Sequence, residues 1–311
     1  MPQAFLLDLC LNNNVGLLLQ KNMNALDKLR NLDFANRTPD DVRELLSDLK
    51  ILCVPFYVKK GTYILRGRRG GGYIKRSQMT YCPVEKCTSM QRASLVNQTM
   101  FYGVISDNQA HQEDARAVVA SECSTLCREG IESIGREVFS IAHWEVIKPL
   151  HVVSLINDTT YPDIKDNALL NQLREAFVMF HGGIQSSEKD KEISKFVSSE
   201  FCKVVKNDSD YLISATIATD IIKDMNFDGI VYPSVQLGGQ GGINIALTTK
   251  AVNRKLKFIR TVEQTLYKNG GRTFIRLEKA YGKKLQREQF PDSYIEKELN
   301  INSILDLPIV D

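Results

Sequence analysis

A chain of 311 residues, 43% hydrophobic and 25% charged, can bury a sizeable core, and its net charge of +3 calls for neither nucleic acid nor an anionic membrane as the main partner. No apolar run reaches the roughly 18 residues that span a bilayer. The apolar patches of MPQAFLLDLCLNNNVGLLLQ lack a basic leader and are broken by Asp8 and the Asn12–Asn14 cluster, so no signal peptide is expected and a cytoplasmic location is the default.

Residues 1 to about 55 read as helical. The clearest start is Thr38-Pro39-Asp40-Asp41: a capping hydroxyl, a proline suited to the first helical position, and two carboxylates at the positive helix end. Leu45, Leu46 and Leu49 continue that helix to about Lys50. YILRGRRGGGYIKR, from Tyr63, is strand-like with five cations and three consecutive glycines, and a loop ordered around Tyr81 and Pro83 follows. MFYGVIS, Met100 to Ser106, reads as a strand, and Gln112 to Glu129 as one helix. FSIAHWEV and LHVVSLIN are strands parted by Lys148-Pro149. Helices are expected at Asn167–Phe180 and from Glu188 to about Val205, the second capped by Ser187 with Ile193, Phe196, Val197 and Val204 on one face. Ile213, Ile217, Ile221 and Met225 mark another amphipathic helix. DGIVYPSVQLGGQGGINIAL then gives two short apolar strands around a glycine loop, and KLKFIRTV a last strand-like piece before a polar end. Helices and strands alternate without a regular βαβ rhythm, which predicts an α+β protein.

Seven scattered cysteines fit a reducing compartment. Cys82 with Cys87 and Cys123 with Cys127 have spacings that suggest zinc. Neither pair is a tight CxxC knuckle, however, so reduced thiols are the plainer expectation.

Glu122 draws attention because Ala115, Val118, Val119, Glu122 and Leu126 follow one helical stripe. A carboxylate inside an apolar stripe is either buried against an arginine of the sheet or set at the floor of a cleft. Arg66, Arg68 and Arg69, beside Gly70–Gly72, offer guanidinium forks and backbone amides that suit a pyrophosphate. A nucleic-acid face is the less favoured reading, because aromatic residues are sparse there. Tyr102 is either core or a stacking platform for a flat ring. Ser234 ends a strand but lies in no GxSxG elbow, and His111, His143, His151 and His181 show no triad spacing. A hydrogen-bonding role is therefore favoured over a nucleophilic one. Glycines behind Ser234 would let backbone approach a ligand closely.

Taken in order, four segments resemble the RES domain family, named for its Arg, Glu and Ser. LRGR, Leu65 to Arg68, is similar to the family's first-strand arginine motif. RASLVNQTMFYG, Arg92 to Gly103, is similar to its arginine, spacer and FYG-type strand. ARAVVASE, Ala115 to Glu122, is similar to the helix that delivers the glutamate. The stretch from Tyr211 to Leu247, with its YPS and following Asn244, is similar to the long C-terminal signature.

The resemblance spans about residues 60 to 250. It implies an ADP-ribosyltransferase-like mixed sheet with flanking helices at 59–255, an N-terminal helical extension at 1–58, and a C-terminal extension at 256–311 packed on or trailing it. It implies cleavage of the nicotinamide–ribose bond of NAD by phosphorolysis or hydrolysis. NAD would be the substrate and inorganic phosphate one acceptor, with no separate cofactor and no metal. Many members are toxins of bacterial toxin–antitoxin pairs, so a separately encoded antitoxin is the implied partner, and an oligomer is allowed. By the same resemblance Glu122 is the catalytic carboxylate and Ser234 orients substrate. Arg66, or Arg68 in its place, holds phosphates or ribose together with Arg92; Tyr102 packs at the nicotinamide end; and Asn244 completes the pocket. Transfer of ADP-ribose to a macromolecule and a non-catalytic nucleotide-binding module are the alternatives.

Overall fold

The computed structural model describes residues 25–34, 36–106, 112–129, 132–235, 242–269 and 272–282. Expectations for residues 1–24, for the glycine loop at 236–241 and for the tail after 282 lie outside the described residues.

Helices α1 (residues 25–30) and α2 (Pro39–Ser47) come first. Thr38 and Asp41 cap α2 reciprocally and Pro39 opens it, as its sequence predicts. The strands are β1 (Val54–Val58), β2 (Tyr63–Arg69), β3 (Phe101–Ser106), β4 (Ile134–Val146), β5 (Leu150–Ser154), β6 (Gly229–Pro233), β7 (Ile243–Leu247), β8 (Leu256–Asn269) and β9 (Arg272–Gly282). Among the described residues they form one sheet in the order β1-β5-β6-β7-β3-β2-β4-β8-β9. Only β5 and β6 run parallel. The fold is α+β.

Helices cover both faces of this sheet. On one side lie α1, α2, α3 (Gln112–Cys123), α6 (Glu188–Cys202) and α7 (Leu212–Met225), packed on Leu65, Val104, Val153, Ile230 and Tyr232. On the other, α5 (Ala168–Gly183) and α8 (Thr249–Lys255) pack on Ile64, Phe101, Ile105, Val231 and Ile245. Neighbouring residues such as Ile64 and Leu65, or Ile230 and Val231, enter opposite clusters because side chains alternate along a strand. Every residue of β6 and β7 is buried, which explains why both read as continuous apolar runs.

Several elements differ from expectation. Residues 54–58 form edge strand β1 within a stretch that reads as helical. The helix expected over Gln112–Glu129 breaks at Ser124, which caps a separate turn, α4 (Thr125–Arg128), by accepting from the Cys127 amide. Val204, placed by spacing on the apolar face of α6, follows that helix and is exposed, and Met225 at the end of α7 is also exposed. The last strand is far longer than KLKFIRTV, and β9 pairs with it over its length. Strands from both sides of positions 58 and 255 thus share one sheet, β1 before the first and β8 and β9 after the second.

Candidate active site

β6 and β7 are adjacent antiparallel strands, with Tyr232 opposite Asn244 and the Ser234 amide bonded to the Gly242 carbonyl. Tyr232, Ser234 and Asn244 therefore point to one face of the sheet, the face covered by α3. Glu122, the penultimate residue of α3, reaches this point. Its Oε1 accepts from Ser234 Oγ at 3.1 Å and from Asn244 Nδ2 at 2.9 Å. Both donors are enclosed, at 0% and 6% exposure. Glu122 itself is exposed. The helical stripe thus turns out to end in an open carboxylate: one oxygen is fixed from behind, and among the described residues no hydrogen bond engages the other.

Two glycines make this approach geometrically feasible. A Cβ on Gly67 of β2 would lie 2.5 Å from Val119 Cγ1 and 3.0 Å from Cys123 Sγ, and one on Gly242 would lie 2.8 Å from Val118 Cγ2. Helix α3 can lie close against the strand ends only because neither position carries a side chain.

The buried salt bridge weighed for Glu122 exists at a different glutamate. Glu137 of β4, 1% exposed, pairs its Oε1 with Arg69 Nε at 2.5 Å. Its Oε2 accepts from Ser124 Oγ at 2.5 Å and from the Leu126 amide at 3.3 Å, so this carboxylate also anchors α4.

The arginines divide by role. β2 and β3 pair only as far as Leu65–Val104, although both strands extend further. Arg66 bridges the gap where they part. Its Nη1 donates to the Tyr102 carbonyl at 2.7 Å and its guanidinium lies 5.2 Å from the Phe101 ring centre. Burial pushes the Arg66 pKa down to about 10. Arg68, on the same face of β2 as Arg66, is exposed, donates to the Gln78 carbonyl at 2.7 Å and lies over the Tyr73 ring. Two of the three glycine amides suggested as a phosphate cradle are already engaged, Gly70 with the Val138 carbonyl and Gly72 with Glu263 Oε2. Arg92 donates to the carbonyls of Phe201 and Lys203 at 2.9 Å each and of Glu200 at 3.4 Å, with its guanidinium 5.2 Å from the Tyr211 ring centre. Tyr102 is fixed through its hydroxyl, which meets Ser94 Oγ at 2.9 Å and accepts from the Ala93 amide. Burial pushes that phenol up to about 12.

Three tyrosines that the sequence reading passed over complete the surroundings. Burial raises the phenol pKa of Tyr161, Tyr211 and Tyr232, and the nearby charge of Glu122 raises each further. Tyr232 could have been found by period-2 alternation, two residues before Ser234 on the same face. Tyr161 sits in the left-handed region at φ 48°, a strained geometry held by Arg174, whose guanidinium donates to the carbonyls of Thr160, Tyr161 and Ile164. No local sequence signal marks it. Among the described residues no histidine bonds Ser234, which acts as a donor to Glu122, and no group of three or more His, Cys, Asp or Glu side chains is arranged to hold a metal.

No protein-family model matches the chain, and no curated protein does. Among solved structures the chain is similar to the crystal structure of the M. tuberculosis MbcT–MbcA toxin–antitoxin complex. The identity is 13%, with 72% of this chain and 85% of that one covered, and the TM-score is 0.28. A superposition of that quality establishes no common fold.

Proposed function

We propose that the chain cleaves the nicotinamide–ribose bond of NAD, passing the ADP-ribosyl group to phosphate or water, and that it serves as the toxin of a toxin–antitoxin pair. The observation that carries this reading is the Glu122 carboxylate, fixed through Oε1 by two enclosed donors and open at its other oxygen. The four motif resemblances to RES proteins give it a substrate.

Loss of nicotinamide builds positive charge on the ribose, as glycoside cleavage does on its sugar. A carboxylate that is already oriented stabilises that charge without reorganising at the moment of reaction. Ser234 Oγ and Asn244 Nδ2 hold Oε1, which leaves Oε2 to face the ribose and its hydroxyls. The partly exposed rings of Tyr102 and Tyr211, with Tyr232 buried behind them, would provide flat apolar surface for the leaving nicotinamide. Arg66 stands at the parting of β2 and β3, where a phosphate oxygen would find the donors not used on the Tyr102 carbonyl.

The test is a product assay. Purified chain is incubated with NAD, with and without inorganic phosphate, and nicotinamide and the ribosyl product are separated by chromatography. Nicotinamide release is the expected result, and its phosphate dependence separates phosphorolysis from hydrolysis. Label appearing on a macromolecule instead would make the chain a transferase, and no release under any condition would overturn the reading. Toxicity on expression, relieved by a co-expressed neighbouring gene product, is the expected cellular result.

A further inference from the structure

Arg92 occupies the position that the family resemblance gives to a substrate-holding arginine, yet its guanidinium is directed at protein. α6 ends at Cys202, and the last carbonyls of a helix lack intrahelical partners. Arg92 reaches across from the 91–94 turn to three of them or their neighbours, Glu200, Phe201 and Lys203. A cation at a helix C-terminus is also favoured by the helix dipole. The guanidinium lies 5.2 Å from the Tyr211 ring centre, a cation–π contact. Phe201, whose carbonyl Arg92 holds, packs its own ring 5.9 Å from Tyr232, which stands opposite Asn244.

We infer that Arg92 is a positioning residue: by tying down the end of α6 and the Tyr211 ring, it builds the aromatic wall beside Glu122 that receives the nicotinamide ring, and it does not hold the phosphates of the substrate. The electrostatic influence of Glu122 on both Tyr211 and Tyr232 is consistent with their standing around the same carboxylate. The inference rests on the proposed NAD-cleaving function, and it moves the phosphate-binding task away from Arg92.

Two substrates separate the roles, NAD and nicotinamide riboside, which carries the same scissile bond and no phosphate. Arg92→Ala is expected to lower kcat/KM by about 10- to 100-fold on both by the same factor, since a displaced wall affects the shared ring. Arg92→Lys restores the charge but not the planar fork, and is expected to behave like Arg92→Ala. A loss at least tenfold larger on NAD than on the riboside, or recovery in Arg92→Lys, would overturn the inference. Should Arg92→Ala not fold, Tyr211→Ala and Tyr211→Phe decide: equal loss on both substrates for Ala with recovery in Phe supports the wall, and full activity in Ala refutes it.

A thermal-melt cycle of Tyr211→Ala and Arg92→Lys, alone and combined, reads the contact independently of turnover. Non-additive shifts are expected, and additive ones would overturn the inference. If the wild-type chain released nicotinamide from neither substrate, the functional proposal would fail, and this cycle would still decide whether Arg92 holds Tyr211.

Discussion

Replacing Glu122 by Gln tests the central claim with little disturbance to the fold. The amide oxygen of Gln can still accept from Ser234 Oγ and Asn244 Nδ2, now 3.1 and 2.9 Å from Oε1, so those enclosed donors keep a partner. The charge alone is lost. A carboxylate and a developing ribosyl cation about 4 Å apart interact by about 1 kcal/mol at the dielectric constant of water and about 4 kcal/mol at an effective value near 20. Glu122 is exposed to water, and a bound dinucleotide would displace the water around it. The upper part of that range then applies, and 3–4 kcal/mol corresponds to a loss of about 10²- to 10³-fold in rate. In a nicotinamide-release assay kcat should fall by that factor while KM stays within a few-fold. The melting temperature should stay close to wild type, because an exposed substitution with its contacts retained changes stability by about 0.5 kcal/mol or less. Glu122→Ala should differ in the second respect: it leaves Ser234 Oγ and Asn244 Nδ2 without their acceptor, at about 1–3 kcal/mol for each enclosed donor. Turnover of Glu122→Gln within about threefold of wild type would refute the assignment of this carboxylate.

Three further outcomes follow from the packing. Gly67→Ala forces a Cβ within 2.5 Å of Val119 Cγ1, so α3 must shift; a stability loss of about 1–3 kcal/mol by urea titration is expected, with reduced turnover as Glu122 moves. Glu137→Ala leaves Ser124 Oγ and the Leu126 amide without their acceptor and takes one partner from the partly exposed Arg69; a loss of about 1–3 kcal/mol is expected in the same titration, and a change under about 0.5 kcal/mol would show that this carboxylate does not anchor α4. Burial, with Arg260 and Arg116 nearby, pushes His143 down to about 3, well below the ordinary 6.5. The unfolded chain therefore takes up a proton that the fold refuses, and stability is lost as pH falls from about 6.5 toward 3, at up to about 1.4 kcal/mol per pH unit. His143→Gln should flatten that part of a stability–pH curve, and an unchanged slope would argue against a neutral, buried imidazole.

The three residues that meet at the candidate site were readable because each lies in a strongly patterned segment. Glu122 shares a helical stripe, and Ser234 and Asn244 flank a glycine loop between apolar runs. The periodicity was nevertheless misleading about burial: a stripe says which residues share a face, and it cannot say that the sheet ends before the face does. Hence the buried-pair reading suited Glu137, which sits in an unremarkable alternating strand. Tyr161 was invisible because its placement depends on Arg174 gripping three carbonyls from another element. Arg92 was assigned by motif to the ligand, while its partners are backbone carbonyls about 110 residues away, which no side-chain pattern records. β9 was missed for a similar reason: polar and cationic residues can fill a long hairpin whose existence is decided by pairing with β8 and not by its own apolar content.

The carboxylate of residue 122 acquires its orientation from partners 112 and 122 positions later in the chain. During synthesis from the N-terminus, helix α3 emerges long before the strand carrying Asn244, so a nascent or truncated polypeptide ending short of that residue holds no assembled site. The carboxylate would be held in place only after β6 and β7 had paired.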